Sequence, residues 1–147
     1  MKLDLSDYHP FLKIVKKGKD RYIFDPIRKD YYVLGPEELV RQSWIQFLIN
    51  NLNISSAALS VEKQIRIFDG VKRFDLVYFN KGKAEILFEF KSFNVNITDA
   101  TCHQVSAYNF ELKVPYIVIS NGIEHHVFEV NFNQQAVKEL EEFPIIK

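Results

Sequence analysis

Apolar residues recur along the chain with two periods, and the alternation between them predicts the elements. Tyr22-Ile23-Phe24, the turn-forming Asp25-Pro26 and several charges, then Tyr31-Tyr32-Val33-Leu34 read as a small hairpin, since aromatic and β-branched runs flank a turn. Gly35-Pro36-Glu37-Glu38 opens a helix, because proline suits a first turn and acids suit the positive end of the helix dipole. Val40, Trp44, Phe47 and Leu48 then recur on one face, which carries the helix from about Pro36 to Asn50. The period changes to strand-like from Leu59 to Phe68, Asp69-Gly70 turns the chain, and Phe74 to Phe79 is a second strand. Asn80-Lys81-Gly82-Lys83 is a hairpin turn into a third, Ile86 to Phe90. Asp99 to Leu112 has helical spacing with Thr98 or Asp99 as its cap, and Pro115 to Ser120 is an apolar run typical of a buried strand that ends at Asn121-Gly122. His125 to Val130 reads as a further strand, and Gln134 to Phe143 as a last helix before Pro144. The predicted order is helix, three strands, helix, strand, with a closing strand and helix.

At 147 residues the chain is expected to form one domain, residues 1–147, with an N-terminal extension over 1–35 and a core over 36–147. Nineteen basic residues balance nineteen acidic ones, so no global field steers the chain to a polyanion, and any such partner has to be held by local charge. The opening segment does concentrate Lys13, Lys16, Lys17, Lys19, Arg21, Arg28 and Lys29, while Glu139, Glu141 and Glu142 lie near the close. A solvated loop and a phosphate-binding strip are both open readings of that basic run. Its aromatic residues could stack on bases, although closing the core is their more ordinary use. The single Cys102 excludes an internal disulfide, and neither a signal-peptide pattern nor an apolar stretch of membrane-spanning length is seen, so the expectation is a cytoplasmic protein with no membrane contact.

The chemistry concentrates on the second and third strands. Strict alternation puts Asp75 on a face with Val77 and Phe79, and puts Glu85, Leu87, Glu89 and Lys91 on one face of the next strand. If Asn80 pairs with Ala84, Asp75 stands opposite Glu89, about 5 Å apart at the β-carbons. Two carboxylates so placed repel unless something compensates, and a divalent cation does, since Mg²⁺ takes one or two carboxylates and completes its shell with phosphate and water. Lys91 can orient an attacking water or offset charge on a phosphoryl group. A Glu-x-Lys on a solvent-facing edge strand is common by chance, so the combination with Asp75 is what carries weight. Glu37 falls on the inward stripe of the first helix with Val40, Arg41 and Trp44, although a dipole-stabilising surface acid is its ordinary role, and Gln104 and Tyr108 share a face of the second helix. Cys102-His103, His125-His126 and His9 lack the paired spacing of a zinc site, and no phosphate-cradling glycine loop is present.

Phe24-Asp25-Pro26-Ile27-Arg28, Pro36-Glu37-Glu38-Leu39-Val40-Arg41-Gln42, Lys72-Arg73-Phe74-Asp75, Glu89-Phe90-Lys91, Gln104-x-x-x-Tyr108-Asn109 and Ser120-Asn121-Gly122 occur in an order and spacing that span nearly the whole chain. Together they resemble a small bacterial family related to the N-terminal nuclease domain of type I restriction enzyme R subunits, within the PD-(D/E)XK nuclease superfamily. The resemblance implies an α/β fold of the restriction-endonuclease-like kind, with a mixed central sheet flanked by helices in the order αβββαβ, an N-terminal hairpin, and a C-terminal strand and helix. It implies a Mg²⁺-dependent endonuclease acting on DNA, with Mn²⁺ as a substitute. Asp75 and Glu89 become metal ligands, Lys91 the catalytic lysine, and Glu37 the helix acid at the metal, with Glu38 as the alternative. Gln104 and Tyr108 match a Gln-x-x-x-Tyr motif beside the catalytic centre. Arg73-Phe74-Asp75 stands where the family has a Pro-Asp pair, and Phe90-Lys91-Ser92 where Cys-Lys-Ala is commoner. A helicase or other restriction-system component, and a second copy of the chain, are further partners the resemblance brings into view. A non-catalytic nucleic-acid-binding or assembly module on the same fold is the alternative reading.

Overall fold

The computed structural model describes residues 1–67, 70–144 and 146, apart from the side chains of residues 67 and 106–111. The turn expected at Asp69-Gly70 therefore lies partly outside the described residues. Two sheets are present. The first is three-stranded and antiparallel in the order β1 (Ile14–Lys17), β2 (Asp20–Asp25), β3 (Asp30–Val33). The second is six-stranded and mixed, in the sequential order β4 (Leu59–Ile67), β5 (Gly70–Asn80), β6 (Lys83–Phe90), β7 (Tyr116–Ser120), β8 (His125–Asn131), β9 (Ala136–Leu140). The helices are α1 (Pro36–Asn50), before β4, and α2 (Asp99–Leu112), which joins β6 to β7. That crossover is why β6 and β7 run parallel while every other neighbouring pair is antiparallel. Among the described residues, no helix is long and apolar enough to cross a membrane.

Each helix covers part of the central sheet. Trp44, Ile45 and Leu48 of α1 pack on Leu76, Ile86, Phe88 and Phe90, with the Trp44 ring 5.6 Å from that of Phe88. Val105 of α2 packs with Ile117, Ile119, Phe128 and Val130, and Leu112 lies against a third cluster containing Val77, Leu87 and Val114. β6 and β7 are thus buried on both faces, which explains their almost unbroken apolar runs. α1 begins at Pro36, as its sequence predicts, and Thr98 caps α2, its hydroxyl oxygen accepting from the Thr101 N–H at 3.3 Å.

Outside the carboxylate pair, the structure departs from the expected pattern in three places. Gln134–Phe143 does not form a helix: residues 136–140 form β9, which pairs antiparallel with β8. Gln135 at φ 49° turns the chain back, and the open edge of β8 supplies backbone partners that outweigh local helix propensity. The basic stretch before the N-terminal hairpin is not a loop but contains a third strand, β1, joined to β2 through Gly18 at φ 63°. The hairpin after β5 closes through Asn80 opposite Lys83, with Lys81 and Gly82 at φ 52° and 79°, as a two-residue turn of this hand requires. Asn80 therefore does not face Ala84. A bulge between Tyr78 and Phe79 then shifts the register by one residue, so that Leu76 faces Phe88.

Gly122, at the end of β7, has φ +90°, and a β-carbon there comes within 3.0 Å of Val40 Cγ2 on α1. Gly122→Ala is expected to destabilise the fold by about 1–3 kcal/mol through backbone strain and overpacking. Urea denaturation checks this as a lower midpoint with an unchanged slope.

Candidate active site

One step beyond the Leu76–Phe88 pair, the β5–β6 register brings Asp75 opposite Glu89. The bulge has restored the alignment that the tight turn removed. Ladder pairing stops here, and Asp75 Oδ2 instead accepts the main-chain N–H of Phe90 at 2.6 Å. Asp75 does not share the Val77 and Phe79 face expected of it. Its Oδ1 lies 3.7 Å from Arg41 Nη2 on α1, whereas Val77 and Phe79 pack with Leu87 and Val114. Phe74 joins that same cluster, so simple alternation breaks at Asp75. Across the strand pair, Glu62 lies between the partners of Leu76 and Phe74 and holds φ 53°, an unusual value for a residue other than glycine.

Burial raises the Asp75 carboxyl pKa to about 6, and the neighbouring Glu89 charge adds to that rise. The Phe90 N–H and Arg41 pull it back, and Glu37 contributes a weaker upward push. Glu89 Oε1 pairs with Lys72 Nζ at 3.4 Å, and that ammonium also lies 5.7 Å from the centre of the Phe74 ring. Glu89 Oε2 is buried with no hydrogen-bond partner among the described residues. A buried carboxylate oxygen with no donor is costly, and its chemistry suits a hard cation. Asp75 and Glu89 thus fit a divalent ion as a pair.

The expected third acid is placed differently. Glu37 is exposed, and among the described residues no three acidic, histidine or cysteine side chains converge as a metal set. Glu38 is half-buried and already committed, accepting from Arg28 Nη2 at 2.6 Å, Arg41 Nη1 at 2.9 Å and Gln42 Nε2 at 3.2 Å. The inward stripe of α1 at this level is therefore Glu38, Arg41 and Gln42, and Glu37 is the acid left with its charge uncommitted. Lys91 is half-buried and makes no ion pair among the described residues; its main-chain N–H donates to Ser120 O at 2.8 Å, which ties the end of β6 to the end of β7. Gln104 lies on the exposed side of α2, and the side chain of Tyr108 lies outside the described residues.

The residues that sequence reasoning missed are cations and their relay. Arg28 bridges Asp25 at 2.6 Å and Glu38 at 2.6 Å, and Arg41 continues from Glu38 to Glu62 at 3.4 Å and to Asp75. A part-buried chain of alternating charge runs from the N-terminal sheet to the carboxylate pair. Its signal was present in Arg28, Glu38 and Arg41, but spacing along the chain does not show which charges meet. A cleft of about 820 Å³ opens nearby between Leu39, Val40, Phe93 and Ile123, and neither Asp75, Glu89 nor Lys91 lines it.

The raised Asp75 pKa has a definite sign in stability. The folded state holds this proton more tightly than the unfolded state, so without metal the contribution is fully present below about pH 4 and is lost as pH rises through about 6. Asp75→Asn keeps an acceptor for the Phe90 N–H and removes the charge. It is expected to stabilise the metal-free protein at pH 7.5 by on the order of 1 kcal/mol and to leave stability at pH 4 nearly unchanged. Thermal unfolding at the two pH values checks this.

No curated protein matches the chain. The model of the family described as type I restriction enzyme R protein N terminus (HSDR_N) matches residues 36–144, from the first residue of α1 to beyond β9. With most of its length and all of the central sheet inside that match, the chain belongs to the family of type I restriction enzyme R protein N-terminal domains.

Proposed function

We propose that the chain is a Mg²⁺-dependent deoxyribonuclease of the PD-(D/E)XK kind, hydrolysing phosphodiester bonds within a restriction system. The observation that carries this reading is the Asp75–Glu89 pair, with a buried carboxylate oxygen that has no donor among the described residues. The succession α1, β4, β5, β6, α2, β7 around a mixed sheet is compatible with that reading, and the family match supports the restriction context. Asp75 and Glu89 hold the metal, Glu37 assists at its water shell, and Gln104 and Tyr108 position DNA. A bound divalent ion lowers the pKa of water and neutralises the attacked phosphate. The Phe90 N–H fixes the Asp75 carboxylate, and Arg41 offsets its charge before metal arrives. Lys91, uncommitted to any acid among the described residues, supplies a positive charge to orient water or to meet charge developing on the phosphoryl oxygens.

A non-catalytic module has one observation in its favour, the Lys72 ammonium already set against Glu89. A cation from the chain itself partly meets the need that a metal otherwise meets.

Wild type, Glu89→Ala and Lys91→Ala are compared on supercoiled, linear, single-stranded and branched DNA with Mg²⁺ or Mn²⁺. Cutting by wild type only, with a loss of about 10²-fold or more in each variant, is the expected outcome. Equal cutting by Glu89→Ala, or none by wild type on any of these substrates, overturns the nuclease reading. Calorimetric titration with Mn²⁺ is expected to show saturable binding that disappears in Glu89→Ala.

A further inference from the structure

The N-terminal sheet lies outside the residues that the family model matches, and its two faces differ. Residues paired directly across antiparallel strands share a face. One face carries Ile23, fully buried, with Tyr32 opposite it, and Arg28 stacks on the Tyr32 ring 3.4 Å from its centre. Asp25, also fully buried, lies on that side, where it holds the Arg28 guanidinium. This is the anchored face, continuous with the charge relay to Asp75.

The other face is built from Tyr22, opposite Val15 and Val33, and Phe24, opposite Tyr31. Tyr31 is 44% exposed, Val15 37% and Val33 59%, and Tyr22 and Phe24 are half-buried. The Phe24 and Tyr31 rings meet edge to face with centres 5.2 Å apart. Lys13 Nζ lies 5.5 Å from the centre of the Phe24 ring, and Lys17 shares the parity of Val15 and Tyr22. Lys19 and Lys29 are exposed in the turns at the ends of the sheet, Lys16 and Arg21 pair on the Ile23 side, and Asp20 stands opposite Lys17. An open sheet face of three aromatic rings within a cationic frame matches few partners. A second copy of the chain brings like charges together. An acidic peptide uses the lysines but leaves flat rings in water. A single nucleic-acid strand uses both, with bases stacked on the rings and phosphates against the ammonium groups.

We propose that this face of β1, β2 and β3 is a stacking platform for single-stranded nucleic acid, with Phe24, Tyr31 and Tyr22 as base contacts and Lys13 and Lys17 as phosphate contacts. The bases of a closed duplex are stacked on one another, so the platform selects an unpaired strand. Its anchored back face holds it in a fixed relation to α1, which carries Glu38 and Arg41 towards Asp75. The platform binds without metal, and it stands or falls separately from hydrolysis at the carboxylates.

The test is fluorescence anisotropy of a labelled oligothymidylate, and of a duplex of equal length, with the full chain in excess EDTA. Wild type is expected to bind the single strand more tightly than the duplex. Tyr31→Ala is expected to weaken single-strand binding by about tenfold and Tyr31→Trp to restore it, with circular dichroism unchanged in both. The combined Lys13→Ala and Lys17→Ala change is expected to reduce the slope of log affinity against log salt by about 1.4. Glu89→Ala leaves this binding unchanged, so a failed cleavage assay and a failed platform remain distinguishable. Duplex bound as tightly as single strand, or a folded Tyr31→Ala that binds like wild type, overturns the proposal.

Discussion

Glu38 accepts hydrogen bonds from three side chains, two of them guanidinium groups, and the placement of α1 against the carboxylate pair depends on this arrangement. Removing an acid from water is costly unless its oxygens are satisfied, and Arg28, Arg41 and Gln42 satisfy those of Glu38. In doing so they join parts of the molecule that no backbone ladder connects. Arg28 belongs to the loop between β2 and β3, Glu38 to the first turn of α1, and Arg41 reaches from α1 to Glu62 on β4 and Asp75 on β5. The apolar packing of Trp44 on Phe88 and Phe90 sets the distance of α1 from the sheet, and the charge relay sets its lengthwise position. A helix held only by apolar contacts can slide by a residue at modest cost; one whose first turn carries fixed ion pairs cannot.

Asp75 and Glu89 form a complementary strain. The fold keeps two acids together at the point where β5 and β6 stop pairing, lets one take a main-chain N–H, and gives an oxygen of the other no donor among the described residues. Arg41 and Lys72 are set against this pair, and the raised pKa of Asp75 reflects burial first and the Glu89 charge second. Such an arrangement costs stability in the empty protein and gives it back to whatever positive species is bound.

The elements with a strong period were legible from the residues alone. α1 starts at Pro36, the strands after it fall near their apolar runs, and Thr98 caps α2. The opposition of Asp75 and Glu89 was legible too, although by a route in which two differences offset: a turn one residue tighter than assumed, and a bulge that returned the register. β9 was not legible, because Gln134 to Phe143 carries no helix-excluding residue and its strand state comes from the free edge of β8. The side of Asp75 was not legible, since strict alternation does not reveal a break at one residue. The commitment of Glu38 to ion pairs was not legible either, since Arg28 and Gln42 lie on either side of α1's start and meet only in three dimensions.

The pairing of Lys91 N–H with Ser120 O has a consequence in the order of folding. The β5–β6 hairpin is local and can close early, carrying Asp75 and Glu89 with it. Lys91 acquires a fixed main chain only when β7 has docked beside β6, after the α2 crossover has been traversed and its loop entropy lost. On a growing polypeptide, the acids therefore come together well before the lysine is set in place. Lys91 is fixed by the most non-local pairing in the sheet, so a chain caught part-way through folding holds the two acids while the main chain at Lys91 is still unpaired.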